Sequence, residues 1–140
     1  VETNSDNIIS DIVIKGNKYV SLKKIMGYLT IKKNDVFNQI LFVQNINRLK
    51  SSGSFKSVTH EVKDSKQGKL IVLNVEEYEV IKDIEFIGSD YFTDEYLKWG
   101  LSSEVGSPFN IKLARKDMQY LGELTYFFFC FIKMIQYSFM

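Results

Sequence analysis

A catalytic or metal-binding centre needs several reactive side chains in one place, and this chain of 140 residues offers few. His60 is its sole histidine and Cys130 its sole cysteine. A nucleophilic dyad needs a base with an orienting partner, and a tetrahedral metal site needs four ligands, which one His and one Cys do not supply. His60 therefore reads as a structural residue on an alternating strand. Cys130, inside an aromatic run, reads as a small buried hydrophobe. A lone cysteine also rules out an intramolecular disulfide and leaves the redox compartment open. Glu76, Glu77 and Glu79 could form the paired carboxylates of acid–base chemistry, but no general-acid partner surrounds them. They read as a solvated junction between two units, with a charge-steered hinge as its functional version. Gly16 and Gly88 follow strands as phosphate-binding glycines do, yet each stands alone without a Gly-x-Gly-x-x-Gly or Walker pattern, and both read as turn glycines. These residues predict no catalysis, no metal and no cofactor.

Binding is the remaining class. Lys23-Lys24 and Lys32-Lys33, near Tyr19 and Tyr28, could contact nucleic acid. The net charge is only +1, however, and a basic strip gains little from it. A nucleic-acid-binding α+β module is therefore the alternative reading, and it predicts binding that weakens steeply with salt. Hydrophobic residues at 45% and charged residues at 25% describe a globular chain able to build a core.

The elements that would position any site are written twice. Asp11, Ile12, Gly16 and Tyr19 return as Asp83, Ile84, Gly88 and Tyr91, all 72 residues on and without a gap. Residues 1–7 are polar and read as a linker. From Ile8 to Lys15 β-branched residues dominate, with Ile12 and Ile14 on one face, which predicts a strand. Gly16-Asn17 is a turn signal, and Ser21 stands as N-cap ahead of Leu22, Ile25, Met26 and Leu29 at helical spacing. Asn38 caps a second helix, with Phe37 and Phe42 at the spacing of a hydrophobic staple and Gly53 at its end. Lys56 to Lys63 alternates, with Val58, His60 and Val62 on one side and Ser57, Thr59, Glu61 and Lys63 on the other, which suits a half-buried antiparallel strand. After a hairpin loop at Asp64–Gly68, the apolar run Leu70–Val75 is the expected central strand. The unit reads β-α-α-β-β.

The second copy opens with Ile81–Ile87, caps its first helix with Thr93 and repeats the second at Pro108-Phe109-Asn110, Leu113, Met118 and Leu121. Trp99, at the end of its first helix, reads as a packing residue, with an anchor between domains as the functional version. Phe127 matches Phe55, where a strand began, but Thr125 replaces Gly53 and Phe128–Ile132 lacks polar alternation. The second unit is expected to be incomplete. The expected organisation is a linker at 1–7, a first domain at 8–79, a partial second domain at 80–127 and an atypical apolar tail at 128–140. The sequence opens at Val1 with no initiator Met, basic region or apolar signal core, so a targeting segment is expected to be absent or already removed, as in an excised piece. The tail from Leu124 to Met140 has 17 residues interrupted by Lys133, short of the roughly 20 apolar residues of a spanning helix.

The pattern resembles the POTRA (polypeptide-transport-associated) domains of the BamA and plastid TOC-channel superfamily of outer-membrane proteins. The resemblance rests on Ile12-x-Ile14-x-Gly16-Asn17-x-x-Val20, Asp35-Val36-Phe37-Asn38, Leu49-x-x-x-Gly53-x-Phe55 and Val75-Glu76-Glu77. It recurs in Ile84-x-Phe86-x-Gly88-Ser89-x-x-Phe92, Gly106-x-Pro108-Phe109-Asn110 and Leu121. It implies an α+β fold of tandem β-α-α-β-β units, each a three-stranded mixed sheet with the third strand central and two helices on one face. It also implies a non-enzymatic role on the aqueous side of an outer membrane, receiving unfolded client polypeptides for the β-barrel domain of the same full-length protein, together with translocon or assembly-complex subunits. A recognition mode of such domains is β-augmentation, which would run along Ser57, Val58, Thr59, His60, Glu61 and Val62. Abundant Asn, Lys, Ile, Phe and Tyr fit an A+T-rich genome, and the tail resembles translated non-coding sequence. Both favour a plastid-type outer envelope (chloroplast or apicoplast), with the bacterial periplasm as alternative.

Overall fold

The computed structural model describes residues 5–88, 90–128 and 134–140. The chain divides into two compact units, Val1–Glu77 and Tyr78–Met140.

The first unit runs β1 (Ile9–Lys15), α1 (Leu22–Tyr28), α2 (Gln39–Ser51), β2 (Phe55–Ser65) and β3 (Gly68–Glu77), preceded by a 3-10 turn at Ser5–Asn7. The sheet order is β1-β3-β2, with the central β3 parallel to β1 and antiparallel to β2. Register sets Ile12 beside Ile71 and Ile14 beside Leu73, while Val58, His60 and Val62 stand opposite Val75, Leu73 and Ile71. The two-residue period therefore gathers these positions on one face. There Ile71, Leu73 and Val75 form one buried cluster with Ile25 of α1 and Phe42, Ile46 and Leu49 of α2. Val72 points to the other face and is buried as well, between Val13 and Glu61 on the neighbouring strands. Burial on both faces explains why the central strand is apolar without alternation.

Local chemistry sets the helix ends. Ser21 accepts a hydrogen bond from the Lys24 amide at 3.2 Å, and Asn38 Oδ1 accepts one from Leu41 at 3.0 Å. The Phe37 and Phe42 rings meet at 5.5 Å, which is the expected staple. Gly53 ends α2 at φ +80°. Gly16 is under a double constraint: its φ is +90°, and a Cβ there would stand 2.1 Å from the Val75 carbonyl oxygen. Asn45, buried inside α2, ties the loop after α1 to the helix. Its Oδ1 accepts the Thr30 amide at 2.5 Å, and its Nδ2 donates to the Leu41 carbonyl at 2.8 Å.

The second unit runs β4 (Ile81–Ile87), α3 (Asp94–Trp99), α4 (Ile111–Phe128) and β5 (Met134–Phe139). Thr93 caps α3 through the Tyr96 amide at 3.3 Å. Asp117, 72 residues beyond Asn45 and fully buried, repeats its role: Oδ1 accepts the Ser102 amide at 2.6 Å. Its other oxygen accepts the Tyr137 hydroxyl of β5 at 2.8 Å, which links helix to sheet.

Two features depart from what the sequence predicts. Phe127, expected to begin a strand, lies within α4, which continues to Phe128. Gly53 lets the chain turn left-handed after α2, whereas Thr125 keeps it helical and returns its hydroxyl to the Leu121 carbonyl at 2.9 Å. Second, residues 134–139 of the tail form β5, antiparallel to β4 with Ile84 opposite Tyr137 and Phe86 opposite Ile135. By chain order β5 is the counterpart of β2, yet it pairs with the unit's first strand, as β3 does in the first unit. Cys130 and the aromatic run at 129–133 lie outside the described residues. Among the described residues, no helix is long and apolar enough to cross a membrane.

Candidate docking edge of the first sheet

The two borders of the first sheet differ. The outer side of β1 is occupied near its start: Ile9 donates to the Asp35 carbonyl and Asn34 to the Ile9 carbonyl, both at 2.8 Å, and Phe37 donates to the Asn7 carbonyl at 2.7 Å. Asn34 takes φ +74° to allow this, a conformation open to Asn at small cost. The second unit repeats the arrangement 72 residues on, with Gly106 donating to the Ile81 carbonyl at 2.8 Å and Ile81 to that of Ser107 at 2.9 Å.

β2 has no such cover: among the described residues only β3 pairs with it. In an antiparallel pair every second residue turns its N–H and C=O to the partner, and the others point outward. An edge strand of 11 residues thus offers a row of donors and acceptors that bind backbone without reading sequence. A register shift between Phe55 and Ser57 marks the start of the regular ladder, which continues to Ser65 around a turn at Lys66 and Gln67.

All six sequence-predicted site residues lie on this strand. Val58 is buried and Val62 half-buried on the helix side; Ser57, Thr59, His60 and Glu61 are exposed. Ser57 donates its hydroxyl to Glu76 across the pair at 3.2 Å. The His60 ring stands edge-on to Phe42, 5.0 Å between centroids, and forms an aromatic shelf where α2 meets the edge. Glu61 lies 3.5 Å from Lys63, and Asp64 lies 2.6 Å from Lys69, whose ammonium sits 5.6 Å from the Phe37 ring centroid. Charges of both signs along an edge oppose uncontrolled sheet growth and leave the backbone accessible.

Glu77 has a role that the sequence does not announce. It is not simply solvated: Oε1 accepts the Lys18 and Val20 amides at 2.8 and 3.0 Å, and Oε2 accepts the Tyr19 amide at 2.7 Å. The parallel register that sets Lys15 beside Asn74 carries the end of β3 to the turn after β1, and Glu77 closes that turn. A run of three acids gives no hint of which one faces three backbone donors. Trp99 also departs from its packing reading, being 87% exposed.

Comparison with known proteins agrees with this architecture. The POTRA family, described as a surface antigen variable number repeat, matches residues 7–78 and again 79–134. The chain is 29% identical over 123 residues to the outer membrane protein assembly factor BamA of Nitratidesulfovibrio vulgaris, covering 88% of this chain and 16% of that protein. It therefore spans about a sixth of that relative's length. Its fold is similar to the N-terminal domain of Omp85 from Thermosynechococcus elongatus, with TM-score 0.72, 16% identity, and 85% of this chain and 51% of that one covered. It is also similar to POTRA1-2 of the periplasmic domain of Omp85 from Anabaena, with TM-score 0.62, 13% identity, and 83% and 76% covered. Two consecutive matches, together with the repeated β-α-α architecture, establish that this chain belongs to the POTRA family, of which it carries two units.

Proposed function

We propose that the chain is the non-enzymatic docking region of an outer-membrane protein translocation or β-barrel assembly channel, and that unfolded clients add themselves as a strand along β2. The observation that carries this reading is the asymmetry of the first sheet: the border at β1 is bonded to residues 34–37, while among the described residues β2 pairs with β3 alone. Backbone pairing suits a receptor for many clients, since every extended chain presents the same N–H and C=O groups. The exposed His60 ring, backed by the buried Phe42, would supply a modest preference for apolar side chains on the helix side. The partners proposed are unfolded clients, the β-barrel of the same full-length protein and subunits of the assembly machinery. Similarity to an outer membrane protein assembly factor and to a periplasmic domain supports the aqueous face of such a membrane. The A+T-type composition supports a plastid-type envelope over the bacterial periplasm.

The test is a titration of the isotope-labelled chain with an unfolded client peptide, followed amide by amide. Shifts concentrated along Ser57–Val62 are expected; shifts confined to other elements, or none at saturating peptide, remove the edge-strand reading.

A further inference from the structure

The sign of the surface around the first helix reverses between the two units, and so does its aromatic content. Just before and along α3 stand Asp90, Tyr91, Asp94, Glu95, Tyr96 and Trp99. The positions 72 residues earlier hold Lys18, Tyr19, Leu22, Lys23, Lys24 and Gly27. Residues 1–77 carry 12 Lys and Arg against 8 Asp and Glu, a net +4; residues 78–140 carry 6 against 9, a net −3. The near-neutral total conceals two oppositely charged units.

Around α3, the side chains of Tyr91, Tyr96 and Trp99 are displayed rather than buried. Tyr91 is 69% exposed and Trp99 87%. Phe92 stacks on Tyr96 at 4.9 Å with planes 12° apart, and Tyr91 meets Phe92 edge-on at 4.9 Å. Glu95 and Trp99 are four residues apart on α3, so carboxylate and indole share one face of the helix. The cation of α3, Lys98, is bonded to Asp83 at 3.1 Å, in a pair that holds the Asp83 carboxyl below its ordinary range after the larger effect of the Ile84 amide.

We propose that this face of the second unit binds an arginine-rich polypeptide segment. A guanidinium lying flat on an exposed indole or phenol ring gains cation–π attraction, and its N–H fork bonds a neighbouring carboxylate in the same pose. Asp90, Asp94 and Glu95 supply that carboxylate and disfavour phosphate groups, which excludes nucleic acid and anionic lipid as the partner on grounds of charge. The site lies on a different unit from β2 and does not depend on strand addition.

Trp99 is the chain's sole tryptophan and reports directly on its own site. In a fluorescence titration of the full chain at low salt, an (Arg-Gly)4 peptide is expected to change Trp99 emission saturably, whereas (Glu-Gly)4 leaves it unchanged. The double variant Asp94→Lys/Glu95→Lys should weaken the arginine peptide at least about tenfold, and the milder Asp90→Asn/Glu95→Gln should weaken it in the same direction. No response to (Arg-Gly)4, an equal response to (Glu-Gly)4, or undiminished binding by both variants would overturn the proposal.

Discussion

At the scale of single residues, the POTRA repeat is held by a few polar and steric contacts that recur 72 positions apart. Gly16 is needed because the Val75 carbonyl occupies the space of a Cβ, and its twin Gly88 keeps a positive φ of +84°. That requirement is visible in the sequence as two glycines following two like strands. Glu77 is not visible in the same way, since its value comes from three amides 57 to 59 residues away that only the parallel β1–β3 register brings to it. Replacing Glu77 with Ala should cost about 2 kcal/mol of stability, as expected for charged hydrogen bonds lost at a part-buried site. Chemical denaturation reads that loss, and amide exchange should speed up at Lys18, Tyr19 and Val20 before it does in β3. A variant with unchanged exchange at those three amides would mean that water serves them equally well.

At the scale of elements, the periodicities foretell the first unit well because each of its segments is amphipathic or capped. Ser21, Asn38 and Gly53 mark helix ends by side-chain chemistry, and Val58, His60 and Val62 mark the inner face of β2. The exposure of His60 is not legible, because its place at the border of the sheet depends on how far α2 extends over it. In the second unit, the loss of the glycine at Thr125 removes the signal for a strand start, and α4 runs on. β5 is anchored by the Tyr137–Asp117 bond, and that contact yields a pH prediction. Burial, reinforced by the Asp117 carboxylate, raises the Tyr137 hydroxyl above its ordinary value of 10.0, and burial raises Tyr120 too. A phenol that holds its proton more tightly when folded contributes stability in full below pH 10, and this stability is lost as pH rises beyond it. Thermal melts should therefore decline above pH 10 in the native chain. Tyr137→Phe should show a smaller alkaline decline together with a lower plateau at neutral pH; an identical alkaline slope would assign the effect to other tyrosines.

At the scale of the whole molecule, the ungapped repeat is the most informative feature of the sequence, since one constant offset divides the chain into its two units. What it conceals is that the repeats have diverged in surface while keeping their frame. The loop bonds to the first strand, the helix cap and the buried amide-binding side chain recur, with Asn45 exchanged for Asp117 and a basic helix surface exchanged for an acidic aromatic one. Under the proposed docking role, keeping the frame would preserve the scaffold, and varying the surfaces would let each unit meet a different part of a client. The central claim is the proposed strand addition along the outer border of β2, and hydrogen exchange with and without bound client tests it most directly. If a client adds as a strand, every second amide between Ser57 and Val62 should become protected, because only the outward-facing N–H groups gain a partner. Protection spread evenly through the first unit, or absent from β2 while the client is demonstrably bound, would contradict strand addition.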